Sequence, residues 1–438
     1  MNEANKTVAF EPGATPLPKK RPTAAKKVAR KRKVKAPHMN VQHLGPIKQA
    51  DITFGDLTVI VGPQATGKSL LLQTLKLLVD REHVHDTFKH HSMSFNGKPE
   101  GFMDAYFGRG MQGAIGKQTS VEWGGKSLDL RDYAKPSKSA LRHERVFYIP
   151  AQRVMSLPGG ISQNFGQFNF GDPYTLRAFS DAVHDLIQNE FGAKGELFPA
   201  PNRLNDDLRN PISEHLFGGS SLVIDDVDYT KKLALKVSGQ KQALGFLSLS
   251  AGQREFIPML LGLYWLCTPQ QRRKTGHTKD EAIEWVVLEE PEMGLHPQAI
   301  SAVLLLVLEL LRRDYRVVIS THSPVVLEMV WALQEFKNLK ADESSVRELF
   351  GLSASSKAKE LGAVALMKDY KVYFLGRQSA AADISHLDPG ADGMEEASWG
   401  GITGFSISTN KAIAHAVNKA DARKKRVSRK TATKVESR

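Results

Sequence analysis

Residues 57–69 read Leu57-Thr58-Val59-Ile60-Val61-Gly62-Pro63-Gln64-Ala65-Thr66-Gly67-Lys68-Ser69, and SLLLQTLKLLVDR runs on from Ser69. An unbroken apolar run, a glycine-bearing turn and apolar residues at helical spacing predict a buried strand, a loop and a helix. The turn matches G-x-x-x-x-G-K-[ST] in full, in the strand-to-helix setting that the pattern requires. Its backbone N–H groups wrap phosphate oxygens, and the helix start adds positive partial charge. Gly62, Gln64, Ala65, Thr66 and Gly67 form the cradle, Lys68 neutralises β- and γ-phosphates, and the Ser69 hydroxyl ligates Mg²⁺. The expected cofactors are ATP and Mg²⁺.

Three further stretches bear on that loop. Trp285-Val286-Val287-Leu288-Glu289-Glu290 is an apolar strand ending in two adjacent carboxylates. Glu289 is expected to hold the metal shell and Glu290 to polarise an attacking water. A solvated acidic strand end is the plainer reading of this stretch alone; the phosphate loop upstream reverses that preference. Leu249-Ser250-Ala251-Gly252-Gln253 precedes an apolar helix. Ser250 and Gly252 can make a second anion site, although an ordinary N-cap is the plainer reading of this stretch alone. Ser320-Thr321-His322-Ser323 ends another apolar strand, where His322 can hydrogen-bond a γ-phosphate or the water, although a satisfied structural histidine is the plainer reading of the residue alone.

Taken in order, these motifs resemble the ABC-type ATPase head, with neighbours among the SMC, RecF and OLD-like ATPases of genome maintenance and phage defence. The implied fold is α/β: a P-loop NTPase of ABC-ATPase type, with a mainly parallel core sheet, an antiparallel β subdomain and a helical lobe. The resemblance implies a head-to-tail homodimer or higher oligomer. Each ATP would lie between Lys68 and Ser69 of one copy and Ser250, Gly252 and Gln253 of the other, with Glu290 as general base and His322 beside it. EEPEMGLHP at 289–297 resembles the EEPE-x-x-LHP segment of the non-transporter branch, and implies that Glu292, Leu295 and His296 form an inter-subunit loop. YIPAQR at 148–153 resembles a YIPAER-like segment of defence-type members. It implies that Gln152 or Arg153 senses the γ-phosphate or metal, and Gln152 is taken as a metal-site residue.

The rest of the chain narrows the class. Its 438 residues are 41% apolar and 24% charged, which excludes a coiled-coil rod, a collagen-like chain and a wholly disordered protein. One cysteine, Cys267, excludes an internal disulfide framework. No uncharged apolar run reaches membrane-spanning length and no signal-peptide core opens the chain, so a cytoplasmic protein with no membrane partner is expected. The net charge of +13 divides into +9 over 1–37, +8 over 411–438 and −4 between them. Both ends are expected to be disordered basic tails, read either as solubilising arms or as arms that touch nucleic acid phosphates or serve as a nuclear-import signal. Residues 38–410 are expected to form the ATPase domain, with a β-rich insertion about 83–145 and a helical lobe about 151–245.

Weaker features are read plainly. His83, His85, Asp86, His90 and His91 match no zinc spacing and read as a polar surface loop. Phe165, Phe168 and Phe170 read as lobe surface rather than base-stacking residues. Asp225-Asp226-Val227-Asp228 reads as a solvated turn, and WGGITGFS at 399–406 as a packing strand. No heptad arm follows 81, and the stretch after His322 leaves little room for a fused nuclease, so a nuclease or toxin effector is expected as a separate polypeptide. Three functions stay open: a sensor and scaffold of an anti-phage complex, a DNA-clamping repair or chromosome-maintenance ATPase, and an ATP-dependent assembly platform with negligible turnover.

Overall fold

The computed structural model describes residues 36–95, 98–136, 143–191, 195–200, 203–227, 230–268, 283–388 and 391–401, with positions 409, 412 and 413. Strands β1 (His38–Leu44) and β2 (Ile47–Thr53) pair antiparallel. Met39, Val41 and Leu44 of β1 alternate inward, as the polar–apolar pattern requires. All five residues of β3 (Leu57–Val61) are buried, which places it inside a sheet covered on both faces. Helix α1 (Lys68–His90) follows, kinked at Asp80 (φ −115°, ψ 25°), and then α2 (Pro99–Phe107). Strand β4 (Ile115–Trp123) returns to pair with β1 and carries β5 (Lys126–Leu128), giving a sheet of order β2-β1-β4-β5.

Strand β6 (Val146–Ile149) leads through short turns to α3 (Tyr174–Asp185), which ends in a π-turn over Leu186–Glu190. Next come β7 (Gly195–Phe198), α4 (Asp206–Phe217), β8 (Ser221–Val227), β9 (Thr230–Lys236) and the short β10 (Leu244–Gly245). These four strands form an antiparallel sheet of order β10-β9-β8-β7. The chain continues through α5 (Ala251–Leu266), β11 (Trp285–Glu289), α6 (Pro297–Arg312), β12 (Arg316–Thr321) and α7 (Pro324–Asn338). It then passes α8 (Glu343–Leu349), α9 (Ser356–Met367), β13 (Tyr370–Phe374), β14 (Ala382–Asp383) and α10 (Met394–Ala397).

The core sheet has the order β14-β13-β3-β12-β11-β6, and its strands from β13 to β6 are parallel. Successive residues alternate between two cores. Val286 and Leu288 of β11 join Val317 and Ile319 of β12 on the face covered by α5, α6 and α7. Trp285, Val287 and Val318 face the other way, against α1 and the β1–β2–β4 strands. This is an α/β fold, a mainly parallel core sheet covered on both faces with two antiparallel sheets beside it. Among the described residues no helix is long and apolar enough to cross a membrane.

Several local expectations are corrected. Residues 83–90 continue α1, because Val84 and Phe88 are buried at helical spacing behind a polar sequence. The stretch about 83–145 is therefore mixed, and its long strand belongs to the N-terminal sheet. The stretch about 151–245 is likewise mixed, holding α3 and α4 beside four strands. The acidic strand stops at Glu289, since Glu290 turns to φ 43°. Asp225 lies in β8 opposite Lys232, not in a turn. Phe165 is buried, stacked on His91, whereas Phe170 is exposed. Trp399–Gly401 form a turn with the Trp399 indole donating to Leu387 O, and the rest of 399–406 lies outside the described residues. The basic tails up to 35 and from 414 also lie outside them.

Candidate functional site: a phosphate loop beside two carboxylates

Parallel pairing fixes the site. Val61 is in register with Thr321, and Ser320 with Glu289. The phosphate loop after β3, His322 after β12 and Glu290 after β11 therefore emerge side by side at the carboxyl edge of the sheet, where ligands of open α/β sheets bind.

Gly62 has φ 150°, and a Cβ there would meet the Leu375 carbonyl oxygen at 2.2 Å. Thr66 Oγ1 donates to Pro63 O at 3.0 Å, closing the loop on itself. Lys68 Nζ donates to Gly62 O and Pro63 O, both at 2.9 Å. Burial lowers the Lys68 pKa from its usual value, against the opposing pull of Glu290, Glu292 and Glu289. Among the described residues no carboxylate lies within ion-pair distance of it, so its charge is available to an anion. Gln64 and Ala65 are exposed on the loop.

Glu289 is buried, 2% exposed. Tyr148 Oη donates to its Oε1 at 2.8 Å and the Ala151 N–H to its Oε2 at 3.0 Å. Burial raises the Glu289 pKa despite these two hydrogen bonds and the opposing influence of the Ser69 hydroxyl. A hydroxyl and a carboxylate placed in this way are hard oxygen donors with lone pairs to spare, and that chemistry fits Mg²⁺. Gln152, assigned to the metal from sequence, is exposed one residue after Ala151. Among the described residues no group of three His, Cys, Asp or Glu could hold a metal, the 83–91 histidines included; His85 bonds Tyr133 O instead, at 2.7 Å.

Glu290 stands in the left-handed region at φ 43°, its N–H donating to Ser320 O at 2.8 Å. Its Oε1 lies 3.5 Å from His322 Nε2, with both side chains about one-third exposed. This places a carboxylate and an imidazole together at the open edge, where both can hydrogen-bond one water. Glu292 turns inward: its Oε1 accepts from Thr321 Oγ1 and the His322 N–H, both at 2.7 Å. It braces the His322 turn within its own chain. His296 caps α6, and Leu295 packs on the core.

Ser250 and Gln253 form a reciprocal cap on α5, with the Gln253 N–H on Ser250 Oγ and the Ser250 N–H on Gln253 Oε1. Gln253 Nε2 also donates to Leu216 O at 2.9 Å. A Cβ on Gly252 would strike the Gly294 carbonyl oxygen at 2.4 Å, so only glycine fits this crossing. The structure thus brings Lys68, Ser69, Glu289, Glu290 and His322 to one edge, while the hydrogen bonds of Ser250 and Gln253 run to each other and to Leu216.

Two contributors were missed by sequence reasoning. Tyr148 was quoted only as part of a motif, and Arg153 was read as a sensor. Arg153 is fully buried and faces backbone carbonyls. The available signal was a polar residue inside an apolar strand and a cation four residues beyond its end.

Residues 167–328 match the protein family described as "AAA domain, putative AbiEii toxin, Type IV TA system". The match spans α5, the acidic strand and His322, well under half of the chain, and leaves out the phosphate loop. No curated protein matches the chain. Among solved structures it is similar to the SMC head domain from Thermotoga maritima (12% identity, 67% of this chain, 92% of that one, TM-score 0.29). It is also similar to an SMC head bound to the C-terminal winged-helix domain of ScpA (12% identity, 66% and 90%, TM-score 0.33). A third is the dimeric MJ0796, a bacterial ABC transporter cassette (11% identity, 77% and 94%, TM-score 0.30).

Proposed function

We propose that the chain binds Mg-ATP at the 62–69 loop and hydrolyses it, acting as the ATP-driven sensor and scaffold of an anti-phage defence complex. The observation that carries the enzymatic part is the pairing of Glu290 Oε1 with His322 Nε2 at 3.5 Å, at the sheet edge shared with Lys68. Lys68 and the loop N–H groups bind the triphosphate. Ser69 and Glu289 hold a magnesium ion, which supplies charge to neutralise the phosphates when bound. Glu290 accepts the proton of a water that His322 helps to orient, and the water oxygen attacks the γ-phosphorus as the bond to the β-phosphate oxygen breaks.

Self-association supplies the remaining donors: Ser250, Gly252 and Gln253 of a second copy close over the nucleotide. The defence role is supported by the AbiEii-type family match over 167–328. In that role nucleotide turnover opens the assembly and releases a separate nuclease or toxin. A cytoplasmic setting belongs to the same reading.

Lys68→Ala is expected to abolish ATP binding. Glu290→Gln is expected to keep binding, lower turnover at least about 100-fold and trap a closed assembly, seen as a larger species by light scattering with ATP. Normal turnover in Glu290→Gln removes Glu290 as the base. Binding without turnover in the unmodified chain favours a static assembly platform instead. Stimulation by DNA that disappears on removing 1–37 and 411–438 favours the DNA-clamping reading, for which the +9 and +8 tails speak.

A further inference from the structure

Arg153 opens the 3-10 turn Arg153–Ser156 after β6, and its side chain is fully buried. Its guanidinium reaches three separate elements. Nε donates to Glu255 O of α5 at 3.0 Å. Nη1 donates to Glu289 O at 2.9 Å and, more weakly, to Pro150 O at 3.4 Å, and Nη2 donates to Glu290 O at 3.0 Å. Burial lowers its pKa while Glu255, Glu292, Glu290 and Glu289 oppose the shift; an arginine keeps its charge throughout.

The contact with Glu289 and Glu290 is unusual for a strand. Successive strand carbonyls point to opposite sides, so one group cannot ordinarily take both. Here it can, because Glu290 has φ 43° and its peptide is turned. Such a backbone persists only where surrounding contacts over-determine it. Arg153 on one side and Ser320 O, accepting the Glu290 N–H, on the other supply those contacts. The third arm rests on Glu255, five residues after the Ser250 cap of α5. Only a planar fork with several fixed donors spans this arrangement, which a lysine ammonium reproduces in part.

We infer that Arg153 is a positioning residue: it holds Glu290 in the orientation needed for proton acceptance and makes that orientation depend on where α5, and so its Ser250 end, is seated. This rests on the hydrolytic reading above and adds to it a link between the second nucleotide-contacting surface and the base. Arg153 touches no substrate itself.

The test is steady-state ATP turnover and nucleotide binding for the full chain, with Arg153→Met and Arg153→Lys alone and in the Glu290→Gln background. Arg153→Met should lower kcat by roughly 10- to 100-fold with KM unchanged within about twofold, since displacement of a reacting group by about 1 Å can cost 100-fold. Arg153→Lys should recover part of that loss. In the Glu290→Gln background Arg153→Met should lower residual turnover no further, because both act through one group. Wild-type kcat in Arg153→Met, a pure KM effect, or an equal loss with and without Glu290 overturns the proposal. Where Arg153→Met does not fold, Arg153→Lys decides by the same comparison. An unmodified chain that binds ATP but never turns it over sinks the hydrolytic reading and this one together, and is told apart by the parent chain alone.

Discussion

Two lysines eight residues apart on α1 are both buried, at 7% and 1% exposure, and have opposite electrostatics. Among the described residues Lys68 Nζ has the carbonyls of Gly62 and Pro63 as its hydrogen-bond partners. Lys76 Nζ bonds Asp80 at 2.7 Å, Glu144 at 2.6 Å and Val146 O at 2.7 Å. Burial acts to lower both pKa values. It prevails at Lys68, whereas Asp80 and Glu144 override it at Lys76 and raise the pKa well above the usual lysine range. A buried cation matched by carboxylates is a fastener; one matched by carbonyls alone is charge held ready for an incoming anion. Asp80 also accepts the N–H groups of Arg145 (3.0 Å) and Val146 (2.9 Å), which accounts for the kink in α1 and pins it to the start of β6.

The difference can be broken from the Lys76 side first. Lys76→Met strands the fully buried Asp80 carboxylate, and chemical denaturation should show a loss of about 3–5 kcal/mol. Nucleotide affinity per folded molecule should stay within about threefold.

Lys68→Met should do the reverse: nucleotide affinity falls by about 100-fold or more, while the melting temperature holds or rises. The sign follows from linkage. The folded state lowers the Lys68 pKa, so the charged side chain is a folding cost below the unfolded value, and removing it relieves that cost. A clear drop in melting temperature would show Lys68 to be a fastener as well.

The same shift gives a pH dependence. On the proposed reading protonated Lys68 binds the phosphates, so affinity should decline as pH rises and begin to do so below 10.5, the ordinary lysine value. Lys76, with its raised pKa, contributes stability throughout that window and loses it only above. Titrating binding and circular dichroism together from pH 7 to 10.5 should therefore show affinity falling before structure; simultaneous loss contradicts the assignment.

The smallest effect is expected at Glu144→Gln. Its side chain is one-quarter exposed, Asp80 still holds Lys76, and about 1 kcal/mol or less should be lost.

Much of the site could be read from the chain because each motif is local. A glycine turn between a strand and a helix, two acids at the end of an apolar run, and a histidine at the end of another all carry their chemistry within a few residues. What sets their mutual distance is the register of β3, β12 and β11, a long-range fact whose outcome the resemblance implied and whose cause no window of sequence contains. The errors fell where local composition and tertiary contacts disagree. DREHVHDTFKH looks like a loop by its polar residues, yet Val84 and Phe88 bury beneath it and keep α1 helical to His90. Nothing local in YIPAQR marks the Tyr148 hydroxyl for Glu289, and Arg153, which the resemblance implies to be a sensor, spends its donors on Glu255, Glu289 and Glu290.

The crossing of Gly252 under Gly294 sets a limit on how this fold can flex. With the Gly252 Cα about 3 Å from where a Gly294 Cβ would stand, the cap of α5 and the turn ahead of α6 abut backbone to backbone. A joint that must open and shut cannot run along that seam, so any swivelling of the neighbouring helices has to bend elsewhere and carry both turns as one rim.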